Sequence, residues 1–250
     1  MPSVEGPAPG GTLPGRPVPS VEAAVASGFA VVDVEATGSS SRRHRVVEVG
    51  VVLLGPDLAP EGEFSTLVDP LGPVGPTHIH GIEPAHLSGA PHFAGIAGRL
   101  LALLRGRVLV GHNVGCDRAF LAAEYARIGI RLPAVPELCT MRMAAAYAAG
   151  DTYGLSLRAC ARALGLGGEV PHTALGDART TAALFGHFVA ETGTVGADSA
   201  AQALAERLSQ AGQVRWPEAG GLPRTAEALW KRRSNVSAGQ YVPNVRDGSA

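Results

Sequence analysis

The sequence predicts an α/β fold: a five-stranded mixed sheet flanked by helices. Three observations carry this. Three β-branched or alternating runs follow one another over short loops near the start, the pattern of an antiparallel meander. Apolar residues then recur at three or four positions between two further short strands, the pattern of helices covering a sheet. The 250 residues are 46% hydrophobic and 17% charged, enough to bury one sizeable core.

In order, FAVVDVEA (29–36) is strand one, and RVVEVGVVLL (45–54), rich in valine, is strand two. The polar segment GSSSRRHR joins them, and GEFSTLVD (62–69) is the third strand. A proline-rich connection, PLGPVGPTHIHGIEP, leads to a helix marked by Phe93, Ile96, Leu100 and Leu104. RVLVGHN (107–113) is a fourth strand. DRAFLAAEYARIG (117–129) is a helix with Phe120, Ala123 and Ile128 inward and Gly129 as its stop. PELCT (136–140) supplies a fifth strand. MRMAAAYAA, LSLRACARALG and DARTTAALFGHFVA are three more helices built from strong helix formers.

The ends differ from the middle. Residues 1–24 are dominated by proline and glycine and read as a disordered arm, without the basic start and apolar centre of a secretory signal. Residues 25–192 form the domain. Residues 193–250 form a helical and basic extension, expected to be partly disordered, with Leu204 and Leu208 on the apolar side of one helix, then Trp216, Trp230 and the cluster Lys231–Arg233. That tail reads either as a docking element or as a basic tail without structure of its own. No apolar run reaches the roughly 20 residues of a membrane helix. Three dispersed cysteines, Cys116, Cys139 and Cys160, argue against a disulfide framework or a structural zinc site and for a reducing cytoplasm. A net charge of −1 excludes a globally basic surface, so a polyanionic partner must be held by local patches.

The chemistry starts from Asp33 and Glu35, two positions apart on strand one. Strand side chains alternate, so both carboxylates leave the same face and repel each other. Divalent cations would neutralise them, and Mg²⁺ suits such oxygen donors while keeping waters that a phosphate can displace. Asp117 follows strand four, and Asp177 begins a helix. Each reads either as a further ligand or as an ordinary acid at a helix N-terminus. His172, five residues before Asp177, reads either as a base hanging over the site or as a surface histidine.

Taken together, DVEATG, VEVG, GHNVGCDRAFL and HTALGDA resemble the successive motifs of the DEDDh 3′–5′ exonucleases, the group of the proofreading subunit of bacterial DNA polymerase III, RNase T and oligoribonuclease. The resemblance runs from about residue 27 to 190 and keeps the D-x-E and H-x-x-x-x-D spacings. It implies an RNase H-like fold. It also implies Asp33, Glu35, Asp117 and Asp177 as ligands of two Mg²⁺ ions, with Mn²⁺ as a substitute, and His172 as the general base. The implied activity is hydrolysis of single-stranded 3′ ends to nucleoside 5′-monophosphates, and the implied partners are nucleic acid and a DNA polymerase subunit. Ala36, Thr37 and Gly38, His80 and Asn113 match positions that meet the substrate. DNA proofreading or repair is the first reading and RNA trimming the second; a non-catalytic nucleic-acid-binding or polymerase-binding module is the alternative of another class.

Lesser features carry plainer readings. Glu48 balances nearby arginines or joins the metal site. Arg42, Arg43 and Arg45 lie beside the site as phosphate contacts or solvated charges. His78 reads as a structural loop residue, and His112 and Asn113 as opening the helix of Asp117, with Asn113 as a cap or a supporting residue rather than a metal ligand. Cys116 and Cys139 depart from the family pattern and read as small buried hydrophobes.

Overall fold

The computed structural model describes residues 27–147, 154–166, 169, 172–194, 197–218 and 222. The expected arm at 1–24 lies outside them, as do Trp230 and Lys231–Arg233. Strands β1 (Gly28–Ala36), β2 (Val46–Leu54), β3 (Pro60–Leu67), β4 (Arg107–Gly111) and β5 (Glu137–Cys139) form one sheet in the order β3-β2-β1-β4-β5. β1–β2 and β2–β3 are antiparallel, and β1–β4 and β4–β5 are parallel. This is the expected mixed sheet with its three-strand meander, and β1 lies at its centre.

The helices are α1 (Thr77–His80), α2 (Phe93–Leu104), α3 (Val114–Arg127), α4 (Thr140–Tyr147), α5 (Leu157–Ala163), α6 (Ala174–Thr194) and α7 (Ala197–Gln213). α1 and a 3-10 turn at Pro84–Leu87 stand in the proline-rich connection that the sequence reads as loop. Pro76 precedes α1 and a proline opens the 3-10 turn, where a missing N–H costs nothing. α3 begins three residues earlier than expected, so Asp117 sits in its first turn rather than at its start. Gly129, at φ 77°, follows its last turn as expected.

The two sheet faces are covered differently. Ala30 and Val32 of β1 pack with Phe93, Ile96 and Leu100 of α2 and with Phe120, Leu121 and Tyr125 of α3. Phe29 and Val31 pack with Leu175, Ala178 and Phe185 of α6 and Ala211 of α7. Alternation carries this second face onward to Asp33 and Glu35. The acids therefore continue an apolar row that α6 covers. A β-bulge between Glu35 and Ala36 ends the regular pairing there.

The chain after residue 192 is not a separate appendage where it is described. The expected boundary falls inside α6, Leu204 and Leu208 of α7 pack against the α6-side core, and Trp216 packs against the opposite core. Arg105 Nη2 donates to Pro217 O at 2.9 Å. Trp216 thus serves the domain's own core rather than standing free as a docking side chain. Among the described residues, no helix is long and apolar enough to cross a membrane.

Candidate active site

Three elements meet at the C-terminal end of β1. Asp33 and Glu35 come from the strand itself, Asp117 from the first turn of α3, and Asp177 from the first turn of α6. Two contacts fix the helical acids to the rest. Asp117 Oδ1 accepts the Val34 amide at 3.2 Å, which binds α3 to the strand between the paired carboxylates. Asp177 Oδ2 accepts the His172 amide at 3.2 Å, which folds the preceding turn back onto the helix.

The start of α6 is itself anchored to β2. Glu48, opposite Glu35 in the sheet, is fully buried, and its Oε2 accepts the Ala174 amide at 3.1 Å. A carboxylate at a helix N-terminus is favoured by the unpaired amides and the dipole there. The expectation that Glu48 balances arginines is thus replaced by an anchoring contact. Gly50, opposite Asp33, shares that face, and a Cβ there would collide with the backbone of Ala174 and Leu175. Only glycine lets α6 begin so close to the sheet.

Clustering of these groups shows in their electrostatics. Asp33 is held well above the usual carboxylate range, first by burial and then by Asp117, Asp177, Glu35 and Glu48. Burial pushes Asp117 up to about 7 against the pull of amide hydrogen bonds from Val34 and its own backbone. Asp177 is raised by burial, with its bond from the His172 amide and the charges of His172 and Arg158 opposing. One donor atom each from Glu35, His172 and Asp177 lies within 4.8 Å of the others. Crowded oxygen donors whose charges oppose one another fit a hard divalent cation.

His172 occupies the turn before α6, exposed, with φ 59°. A non-glycine residue in the left-handed region is uncommon and often marks a functional position. Its Nε2 accepts a hydrogen bond from Arg158 Nη2 of α5 at 3.2 Å. Arg158 was not singled out in the sequence, although Arg158 and Arg162 stand four apart on one helix, a spacing that places them on one face.

The bend after β1 is tightly held. Thr37 donates its amide to Arg45 O at 2.8 Å and accepts the Arg45 amide on Oγ1 at 3.0 Å. Gly38 lies against the His44 ring and Gly75 against the Thr37 backbone. Arg45 is engaged with buried Glu124, donating Nε to Oε1 at 2.8 Å and Nη2 to Oε2 at 3.0 Å, and with Pro70 O. It is therefore a strut and not a phosphate contact, whereas Arg42 and Arg43 are exposed. Glu124 is the group that sequence reasoning missed: nothing in a helical glutamate's spacing shows that it is buried against an arginine 79 positions away.

Three further expectations change. His80 is 2% exposed, and its Nδ1 accepts the Ile82 amide at 3.0 Å, so it organises its turn instead of facing a ligand. His78, expected to be structural, is exposed. Cys116 is exposed rather than buried, because it shares the first turn of α3 with inward-facing Asp117; partial desolvation of its sulfur and then the Asp117 and Asp33 charges raise its thiol pKa. Cys139 is half-buried against the core, and Cys160 is buried. Asn113 precedes α3 in the left-handed region at φ 69°, exposed, with no side-chain capping bond. His112 bridges Thr140 Oγ1 at 3.0 Å and Leu155 O at 2.8 Å, tying the approach to α5 to the end of β4.

Known proteins share this architecture. The chain is 31% identical to the DNA polymerase III subunit epsilon of Aquifex aeolicus over 160 residues, which is 63% of this chain and 78% of that protein. It is 35% identical to a DNA polymerase III subunit epsilon-like protein of Rhodobacter capsulatus over 163 residues, 63% of this chain but 23% of that one. The chain thus spans under a quarter of that longer relative. Exonuclease X in complex with 5′ overhanging duplex DNA superposes with a TM-score of 0.55 at 23% identity, over 72% of this chain and 99% of that one. The nuclease domain of 3′hExo, a DEDDh family member bound to rAMP, superposes with a TM-score of 0.54 at 18% identity, over 65% and 92%. These two likenesses establish a common fold. The exonuclease family profile matches residues 30–185, the span that carries every acid of the cluster, and by that match this chain belongs to the exonuclease family.

Proposed function

We propose that this chain is a metal-dependent 3′–5′ exonuclease that releases nucleoside 5′-monophosphates from single-stranded DNA 3′ ends, in proofreading or repair. The observation that carries the reading is the gathering of Glu35, Asp117, Asp177 and Glu48 around Asp33, with His172 on the rim. Asp33, Glu35, Asp117 and Asp177 would hold two Mg²⁺ ions, Mn²⁺ substituting. When bound, such ions polarise the phosphodiester and offset charge on the leaving oxygen.

The chain's own groups supply the rest. His172, exposed beside the acids, takes the proton of the attacking water. Asp117 and Asp177, each held by a backbone amide, keep their carboxylates in place during the reaction. Ala36, Thr37 and Gly38 follow the bulge at the end of β1 and offer backbone groups other than the Thr37 amide to the terminal nucleotide, with Asn113 exposed at the start of α3. His80 drops out of the substrate-contacting set because it is buried. DNA is favoured over RNA because both named relatives are DNA polymerase III epsilon or epsilon-like proteins. The same relatives support a polymerase subunit as partner and a cytoplasmic location. RNA trimming is the second reading, favoured by the rAMP complex of the 3′hExo nuclease domain.

The test uses 5′-labelled DNA and RNA oligonucleotides with Mg²⁺, with Mn²⁺ and with a chelator. The expected result is a ladder shortening from the 3′ end of DNA faster than of RNA, absent with chelator and in Asp33→Ala and His172→Ala. Cleavage by Asp33→Ala at the parent's rate overturns the metal assignment, and faster loss of RNA reverses the substrate preference.

A further inference from the structure

A pocket of about 590 Å³ opens beside the acid cluster, between α5 and the start of α6. His172 and Asp177 form one wall, Arg158 and Arg162 of α5 form another, and Glu169, its charge paired with Arg179 at 3.3 Å, also lines it. Leu157, Ala161 and Leu166 give it an apolar lining. A volume in this range suits a nucleotide-sized group.

The two arginines differ in their attachments from the others near the site. Arg45 and Arg179 are committed to carboxylates, Arg45 to Glu124 and Arg179 to Glu63 and Glu169. Arg158 and Arg162 are exposed, and Arg158 donates only to an imidazole nitrogen, at 3.2 Å, among the contacts of the described residues. A phosphate offers the guanidinium a full opposite charge, which a neutral ring nitrogen lacks. The guanidinium fork also matches two phosphate oxygens, which a single ring nitrogen cannot provide. A phosphate entering the pocket therefore draws Arg158 away from His172 Nε2. α5 is held in place for this role by the His112 bridge to Leu155 O and by Ser156, whose Oγ caps the helix by accepting the Ala159 amide.

We propose that Arg158 and Arg162 bind a backbone phosphate of the substrate strand in this pocket, and that Arg158 exchanges His172 for that phosphate when the strand binds. The proposal rests on the reading of the substrate as a single-stranded polynucleotide. It makes α5 a strand-binding face, and it makes the contact with His172 a resting-state one.

The test measures binding separately from turnover. Anisotropy of a 5′-fluorescein-labelled oligothymidylate is titrated with protein in Ca²⁺ at several salt concentrations, and cleavage is then followed in Mg²⁺. Arg158→Ala and Arg162→Ala are each expected to raise Kd about threefold to fivefold. Each is expected to flatten the slope of log Kd against log salt, and the double variant by about 0.7, the loss of one single-strand phosphate contact. Arg158→Lys restores the slope, because the charge returns. Both arginines are exposed, so melting temperatures close to the parent's verify the fold. Unchanged Kd and slope in both variants overturn the proposal. So does a fall in kcat for Arg158→Ala at unchanged Kd, which would make Arg158 a positioning residue for His172 alone. Failure of the exonuclease reading looks different: the parent binds the strand and leaves it uncut.

Discussion

Gly50 offers a sharp test of how the site is assembled, because it makes no chemical contact of its own. Replacing it with alanine adds one methyl group on the face of β2 that meets the first turn of α6. That methyl would stand against the Ala174 carbonyl and the Leu175 amide, far inside contact distance. All three are backbone atoms, so no side chain can rotate away. Ordinary carbon contacts lie near 3.5–4.0 Å, so the helix start must retreat by roughly 1 Å or more. Such overpacking costs about 1–3 kcal/mol, or a fall of about 2–12 °C in Tm for a domain of this size. The retreat also carries His172 and Asp177 away from Asp33 and strains the Glu48 contact with Ala174. A misplacement of about 1 Å in a catalytic constellation costs on the order of a hundredfold in rate. Calorimetry and a single-turnover cleavage assay read the two effects. Gly186→Ala is the control: it lies within α6, a Cβ there meets nothing within 4 Å, and alanine favours a helix by about 1 kcal/mol. If Gly50→Ala melts and cleaves like the parent, α6 is not seated against β2 as described, and the site geometry built on it fails.

Asp33→Asn should do two opposite things: raise the Tm of chelated protein, because it removes a charge crowded by four acids, and lower cleavage by at least about a hundredfold. His172→Ala should cut kcat by about 10²–10⁴ with a smaller change in KM, read by steady-state kinetics. Asp117 carries a raised pKa, so its unfolded form releases a proton that the folded form keeps. In chelated protein this group's contribution is therefore present below about pH 4, is lost as pH rises to about 7, and stays lost above that. Thermal melts of the parent and Asp117→Asn across that window should diverge, the variant's profile being flatter, and parallel profiles would refute the assignment. Glu124→Ala strands Arg45 and loses the Val46 amide bond, and should cost about 3 kcal/mol by denaturant unfolding. Removing residues 196–250 should lower the Tm as well, because Ala211 and Trp216 pack on the two cores.

Much of this protein was readable as a linear string. Strand alternation alone put Asp33 and Glu35 on one face, and the runs around them marked the five strands and the long helices to within a few residues. Those inferences work because strand and helix periods are local properties of the backbone. The four acids and the histidine read as a set only through the resemblance of their motifs to those of the DEDDh exonucleases. What the string could not express was which groups are consumed by contacts with distant parts of the chain. Arg45 looked like a free cation until Glu124 was found beneath it, and His80 looked available until its ring proved to be folded into its own turn. Glu48 and Gly50 gain their meaning only where β2 passes under the first turn of α6. The residue types and their order settled the chemistry this protein has to work with, whereas burial and pairing across long sequence separations decided which of those groups remain exposed to a ligand, since a charge is available only if no buried counter-charge already holds it.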